Sequence, residues 1–159
     1  ITEVPAWIWE LKHLEKLNLT NNKIKTIRGT ITQGCSMKKL YLGANEISEL
    51  PKPFDKFASM ENLSLNKNQF KEVPNCLKHL KSLKWLTLSD NKIKSMPRSR
   101  AFPKSLTNLG LENNHVKVLP EWLMELKSLE ELKISGNEIR ALPDWLKGMK
   151  TLKWIKFRD

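Results

Sequence analysis

The sequence repeats itself every 23 residues, and this period constrains the fold more than any other feature. Six asparagines mark the period without a slip: Asn22, Asn45, Asn68, Asn91, Asn114 and Asn137. Each asparagine stands in a block with the template LxxLxLxxNxI, as in LEKLNLTNNKI and LKWLTLSDNKI. A fixed period of this length indicates an array of small stacked units. The chain therefore contains six complete units, with partial units at residues 1–13 and 152–159.

The apolar positions of the template explain why the units must stack. Leucines at alternate positions of a short strand point to the same side. One unit cannot bury that side alone, so neighbouring units bury it together in a continuous core. The leucines expected in this core are Leu17, Leu40, Leu63, Leu86, Leu109 and Leu132. The asparagine follows the strand, where its side chain can satisfy backbone groups that an inward turn leaves unpaired. We therefore interpret the six asparagines as a structural ladder.

This pattern resembles the leucine-rich repeat family over essentially the whole chain. The segment after the asparagine, as in LPEWLMELKSL, is similar to the intracellular type of 23 residues. The resemblance implies an α/β solenoid, a curved horseshoe arc with a concave parallel β-sheet and short helices or turns on the convex side. It also implies scaffolding or recognition, as in Ras-pathway scaffolds and bacterial repeat proteins. We expect residues 1–159 to form one domain of a longer protein.

Two segments on the back of the array depart from the pattern, at 28–36 and 98–105. The first lacks the usual proline and contains two glycines. The second places Arg100 where other units have an apolar residue, and adds Pro103. Neither segment should form a regular helical turn. We expect Phe102 to fill the core of the second.

Four tryptophans lie outside the strands. Trp7, Trp122 and Trp145 share a column, two residues after a proline. Because aromatic residues on the face of a helix usually serve packing, we interpret this column as structural, with the last two packing together. Trp9 is off the column, and we expect it to be exposed.

The sequence contains no pattern that supports catalysis. Its three histidines, His13, His79 and His115, occupy unrelated positions of the repeat, and there is no phosphate-binding glycine loop, nucleophile motif or metal-ligand spacing. A column of serines before the strands, such as Ser105, is best explained by bonds to backbone. No cofactor and no enzymatic activity are expected. Two cysteines without a cysteine-rich cap favour a reducing compartment.

The side chains that point away from the core on each strand are free to serve function. Trp85 lies near the middle of the sheet among small polar residues, and Tyr41 is the second large aromatic residue of these columns. Large aromatics ringed by polar groups are typical binding anchors. An alternative is that Trp85 only covers Gly110 on the next strand. The predicted binding surface consists of Trp85, Tyr41, Lys39, Asn62, Asn108, Thr87, Glu131 and Lys133.

Positive charge is also ordered by the repeat. The net charge is +11, and one column directly after the apolar residue of NxI is almost entirely basic: Lys25, Lys71, Lys94, Lys117 and Arg140. Such a column predicts an acidic protein partner, or nucleic acid or an anionic lipid surface. A solvated lysine-rich face is the alternative. No aromatic residues interleave with the lysines, which argues against a dedicated nucleic-acid groove.

The leading prediction is a protein-binding scaffold whose partner contacts the concave sheet. Binding of nucleic acid or anionic membrane by the basic columns, and a targeting domain of a larger enzyme or bacterial effector, stay open. The last strand, in KWIKFRD, presents an open edge, so end-to-end self-association is a further expectation. The expected location is the cytoplasm, or a host cytoplasm for an effector.

Overall fold

The computed structural model describes residues 1–29 and 36–158. Its strands are β1 (Glu3–Val4), β2 (Lys16–Asn18), β3 (Thr26–Ile27), β4 (Lys39–Tyr41), β5 (Asn62–Ser64), β6 (Trp85–Thr87), β7 (Asn108–Gly110), β8 (Glu131–Lys133) and β9 (Trp154–Lys156). Its helices are of the 3₁₀ type: η1 (Ala6–Glu10), η2 (Phe54–Lys56), η3 (Asn75–His79), η4 (Glu121–Glu125) and η5 (Asp144–Gly148). None of the helices in these ranges is long and apolar enough to cross a membrane.

Seven strands form one parallel sheet in the order β2-β4-β5-β6-β7-β8-β9. Its register follows the repeat, so Leu40 lies opposite Leu63 and Trp85 opposite Asn108. Strands β1 and β3 form a separate parallel pair. The concave sheet and convex short helices expected from the repeat are therefore confirmed.

Proline explains where most of the short helices begin. In η3, the φ of the N-cap residue Pro74 is −62°, and its carbonyl accepts a bond of 3.2 Å from the Leu77 amide. Proline fixes φ near this value and lacks an N–H group that the first turn would leave unpaired. The helix ends at His79, and the N–H of the C-cap residue Leu80 still bonds to Leu77 O. Both bonds span three residues, which is the pattern of a 3₁₀ helix.

The leucines of the strands form the continuous core that the template predicts. Leu40, Leu63 and Leu86 are 0% exposed, whereas Leu17, on the edge strand β2, is half-buried. Phe102 is also 0% exposed, and segment 98–105 contains no helix, so both predictions for that segment are confirmed. Of the segment 28–36, residues 30–35 lie outside the described residues.

The asparagine ladder joins each unit to the next. The Asn91 amide donates to Leu65 O at 2.9 Å, in the preceding unit, and to Leu88 O at 2.9 Å, in its own unit. Its Oδ1 atom accepts a bond of 3.0 Å from the Phe70 amide. Asn91 is 7% exposed, so water does not replace these bonds. The side chains of Asn45, Asn68, Asn114 and Asn137 donate to a carbonyl of the preceding unit in the same way.

The expectation for Trp9 is wrong. Its side chain is 0% exposed, its indole N–H donates to Arg28 O at 2.8 Å, and its ring meets Phe57 edge-on at 5.5 Å. Gly29 leaves room for this packing, since a Cβ at Gly29 would lie 2.8 Å from Ala6 and 3.1 Å from the Trp9 ring. Among the column tryptophans, Trp122 packs against Phe102 at 5.7 Å.

Candidate functional site

The outward side chains of the strands form two parallel columns, and residues that follow the strands, such as Ser89 and Glu112, form a third. The first column runs through Lys16, Lys39, Asn62, Trp85, Asn108, Glu131 and Trp154. The second runs through Asn18, Tyr41, Ser64, Thr87, Gly110, Lys133 and Lys156. Every predicted concave residue lies in these two columns. The repeat thus places all of them on one face, although their role in binding stays a prediction.

Trp85 is the central aromatic residue of this face. It is half-buried, and with Asn108 opposite it on β7 it borders a recess of about 280 Å³. The floor of the recess includes Gly110, which lies opposite Thr87. The recess therefore lies between the indole of Trp85 and the strand that carries Gly110.

Polar atoms, and not the indole, lie closest to Gly110. A Cβ at this residue would lie 2.9 Å from the Thr87 hydroxyl and 3.1 Å from both Ser89 Oγ and Glu112 Oε2. The Ser89 hydroxyl donates to the Glu112 carboxylate and lies 3.0 Å from the Thr87 hydroxyl. Trp85 is therefore a wall of the recess, and hydrogen-bonding groups form its floor.

The recess carries negative charge, although the whole chain is basic. Its charged lining residues are Asp90, Glu112, Glu131 and Lys133. Lys133 lies 3.5 Å from Glu131, so these two side chains largely neutralise each other. Asp90 accepts a bond of 2.8 Å from the Asn113 amide. Within residues 1–29 and 36–158, neither Asp90 nor Glu112 forms an ion pair, so two carboxylates define the sign of the recess.

Basic and aromatic side chains lie on either side of the recess. Near one end, Tyr41 is half-buried and Lys16 Nζ lies 5.8 Å from the centre of its ring. Near the other end, Lys133 Nζ lies 4.8 Å from the ring centre of Trp154, which is 48% exposed. Each ring thus has a cation over it, and both keep accessible edges.

The predicted basic column is partly neutralised. Lys25 lies 3.6 Å from Glu46, and Lys117 lies 3.7 Å from Glu138. In the described part of the chain, Lys71, Lys94 and Arg140 form no ion pair, and all three are exposed. The column therefore presents free charge mainly at these three positions.

Other features of the described residues fit structural roles. No group of three or more histidine, cysteine or acidic side chains within residues 1–29 and 36–158 could hold a metal ion. Ser105 Oγ donates to Leu83 O at 2.8 Å, and Thr151 Oγ1 donates to Leu129 O at 2.9 Å, so these hydroxyls fasten one unit to its neighbour. Cys76 borders a lateral groove of about 770 Å³, and burial raises the pKa of its thiol to about 11. Such a thiol is a poor nucleophile near neutral pH.

Comparison with known protein families agrees with the repeat. A family model described as leucine rich repeat matches residues 35–93 and 104–158, and a second model of the same description matches residues 13–35. The chain belongs to the leucine-rich repeat family. Leucine-rich repeat domains generally mediate protein–protein interaction and are typically not enzymes. None of the curated proteins compared with this leucine-rich repeat chain matches it.

The sequence did not identify every residue around the recess. Glu112 and Ser89 follow the strands in a third column and were not selected, because one polar residue among many carries no signal by itself. The glycine at position 110 was the available signal, since a glycine in a strand marks a place that something else approaches closely. Which groups approach Gly110 depends on the hydrogen bond between Ser89 and Glu112, which are one full unit apart.

Proposed function

We propose that this leucine-rich repeat chain is a protein-recognition module whose partner lies on the concave sheet. The single observation that carries the proposal is the half-buried indole of Trp85 beside an open recess at the centre of that sheet. Tyr41 serves as the second anchor. Indole and phenol rings supply large, rigid contact areas at low cost in conformational entropy, which is why they dominate binding hot spots.

The remaining predicted residues form the rim around these anchors. Asn62, Asn108 and Thr87 can form hydrogen bonds to a partner, and Lys39, Lys133 and Glu131 supply charge. Basic side chains outside the recess would attract a partner that is acidic overall and increase its rate of association. We also propose an intracellular location, to which the free thiol of Cys76 is suited.

Affinity capture from cell lysate tests the proposal, with nuclease added and with Trp85→Ala as the key variant. A specific protein that survives nuclease treatment and is lost with Trp85→Ala supports the concave site. Trp7→Ala is the matched control, because Trp7 is 59% exposed and lies in η1, away from the sheet. Equal capture by wild type and Trp85→Ala would contradict the proposal.

A second candidate function is binding of a polyanion by the basic columns, which the exposed and unpaired Lys71, Lys94 and Arg140 favour. Reversing Lys71 and Lys94 to glutamate should then reduce binding to a labelled oligonucleotide or to anionic vesicles. The affinity of the wild type should fall steeply as salt rises, because each neutralised phosphate releases counterions. Binding that ignores both salt and these substitutions would exclude this function.

A further inference from the structure

We infer that the recess beside Trp85 receives an arginine side chain of the partner, flanked in the partner by acidic residues. This inference rests on the proposed function, because it specifies the chemistry of a ligand at the concave sheet. It refines the expectation of an acidic partner: the partner is acidic at the two ends of the sheet and carries a positive charge at its centre.

The size and shape of the recess suit a single side chain. Its volume is about 280 Å³. That is room for one large side chain and too little for a helix or a folded loop. Polar atoms of Thr87, Ser89 and Glu112 fill the place of a side chain at Gly110, and Trp85 supplies a flat wall. The recess therefore suits one long, flat side chain.

The lining of the recess offers hydrogen-bond acceptors. Glu112 and Asp90 form no ion pair within the described residues, and their carboxylates are acceptors. The Glu112 carboxylate uses one of its oxygens for the Ser89 hydroxyl, which leaves acceptor capacity for a ligand. Placing a second carboxylate here would bring like charges together, and an apolar side chain would leave these acceptors unpaired. A donor with positive charge satisfies them.

Guanidinium fits better than ammonium because of the indole. A planar guanidinium stacks on aromatic faces and offers five N–H donors in one plane, so it can contact Trp85 and a carboxylate together. An ammonium is a compact and strongly hydrated point charge that gives up its water less readily. The recess thus selects arginine over lysine.

The pattern of charge along the sheet also fits an arginine with acidic neighbours. Lys16 and Lys39 lie on strands to one side of the recess, and Lys156 and Arg158 lie to the other side. The sheet is therefore basic, then acidic, then basic across its strands. An extended segment that crosses the strands with an arginine between acidic residues matches this order of signs. Its reverse, a basic segment with a central acid, places like charges together at every position.

The inference can be tested with peptides selected from a random displayed library. Selection uses the wild-type chain, and binders retained by Trp85→Ala are removed, so that only ligands of the concave site remain. These peptides should share an arginine with acidic neighbours. Replacing that arginine with citrulline, which has the same shape without the charge, should weaken binding about 10- to 100-fold, the usual worth of a charged hydrogen bond.

Glu112→Gln provides the matching change on the protein side. It should weaken binding of the arginine peptide by a similar factor and leave binding of the citrulline peptide unchanged. Glu72→Gln, at an exposed position outside the recess, is the control and should change neither. Selected peptides that need Trp85 but carry an acidic or apolar residue in place of arginine would overturn the inference and leave the proposed function standing. A library that yields no ligand dependent on Trp85 would contradict both.

Discussion

Replacing Asn91 with alanine should destabilise the protein far more than the same change at Asn22. Both residues belong to the asparagine ladder, but Asn91 is buried between two units and Asn22 is the first rung. The Asn22 side-chain N–H groups bond within their own turn, to Leu19 O at 3.0 Å and Thr20 O at 3.2 Å, and Asn22 Oδ1 accepts a bond of 2.7 Å from the exposed amino group of Ile1. The comparison therefore contrasts buried bonds between two complete units with bonds at the exposed end of the array.

The magnitude follows from the hydrogen bonds of each side chain. Asn91 uses two N–H groups and one oxygen, which reach Leu65 O, Leu88 O and the Phe70 amide. Three bonds at about 1 kcal/mol each give about 3 kcal/mol, and a buried Phe70 N–H without a partner adds about 1 kcal/mol or more. Asn22 is partly exposed, so water replaces its bonds and the loss should be about 1 kcal/mol. The expected difference is about 3 kcal/mol.

Urea unfolding followed by circular dichroism measures this difference. With a slope of about 2 kcal/mol per molar urea, the Asn91→Ala midpoint should fall about 1.5 M below that of Asn22→Ala. Asn137→Ala should lie between them, since its amide reaches Leu111 O at 2.8 Å but its side chain is less buried. If Asn91→Ala does not fold, Asn137→Ala takes its place in the comparison with Asn22→Ala. Equal stabilities for Asn22→Ala and Asn137→Ala would refute the role of the ladder in joining units.

Three further outcomes are expected. Ala44 has a φ of 53°, a value that disfavours residues with a Cβ, so Ala44→Gly should raise the free energy of unfolding in urea by about 1 kcal/mol. Gly136 has a φ of 66°, so Gly136→Ala should lower that free energy. Arg100→Leu should stabilise the chain by up to about 1 kcal/mol in the same assay, because the buried Arg100 Nε has no hydrogen-bond partner among the described residues and the exposed ion pair of Arg100 with Glu125 contributes little. In a Cys35→Ser background, Cys76 should react with iodoacetamide about 100-fold more slowly at pH 8 than in the urea-unfolded chain, because its pKa is raised to about 11 from 9.0. A stability equal to that of the wild type in any of these variants, or equal alkylation rates of Cys76 in the folded and unfolded chain, would contradict the corresponding explanation.

The 23-residue period made the register of the main sheet predictable. Because every unit has the same length, residue i must lie opposite residue i+23, and Trp85 opposite Asn108 follows directly. The asparagine ladder was predictable for the same reason, since one local need recurs at each turn. A repeat thus converts local sequence into tertiary contacts without further information.

Departures from the period were not predictable. Trp9 is buried because it packs against Phe57 and bonds to Arg28 O, two residues outside its own unit at positions that no period assigns. The pairing of β1 with β3 keeps the 23-residue register, since Glu3 lies opposite Thr26, but the template assigns no strand to these positions. The sign of charge in the recess depends on which carboxylates form ion pairs. Glu131 pairs with Lys133, whereas Glu112 forms no ion pair within the described residues. Such choices are made by side-chain geometry in three dimensions.

Site-specific photo-crosslinking tests the central claim, recognition of a protein on the concave sheet, most directly. A benzophenone side chain is introduced at Asn62 or Asn108, the neighbours of Trp85 in its column, and at Lys104 as an exposed position outside the sheet. The account predicts that one specific protein is crosslinked from positions 62 and 108 in cells, and that position 104 does not capture it. Crosslinking of that protein from position 104 alone, with none from the sheet, would contradict the account.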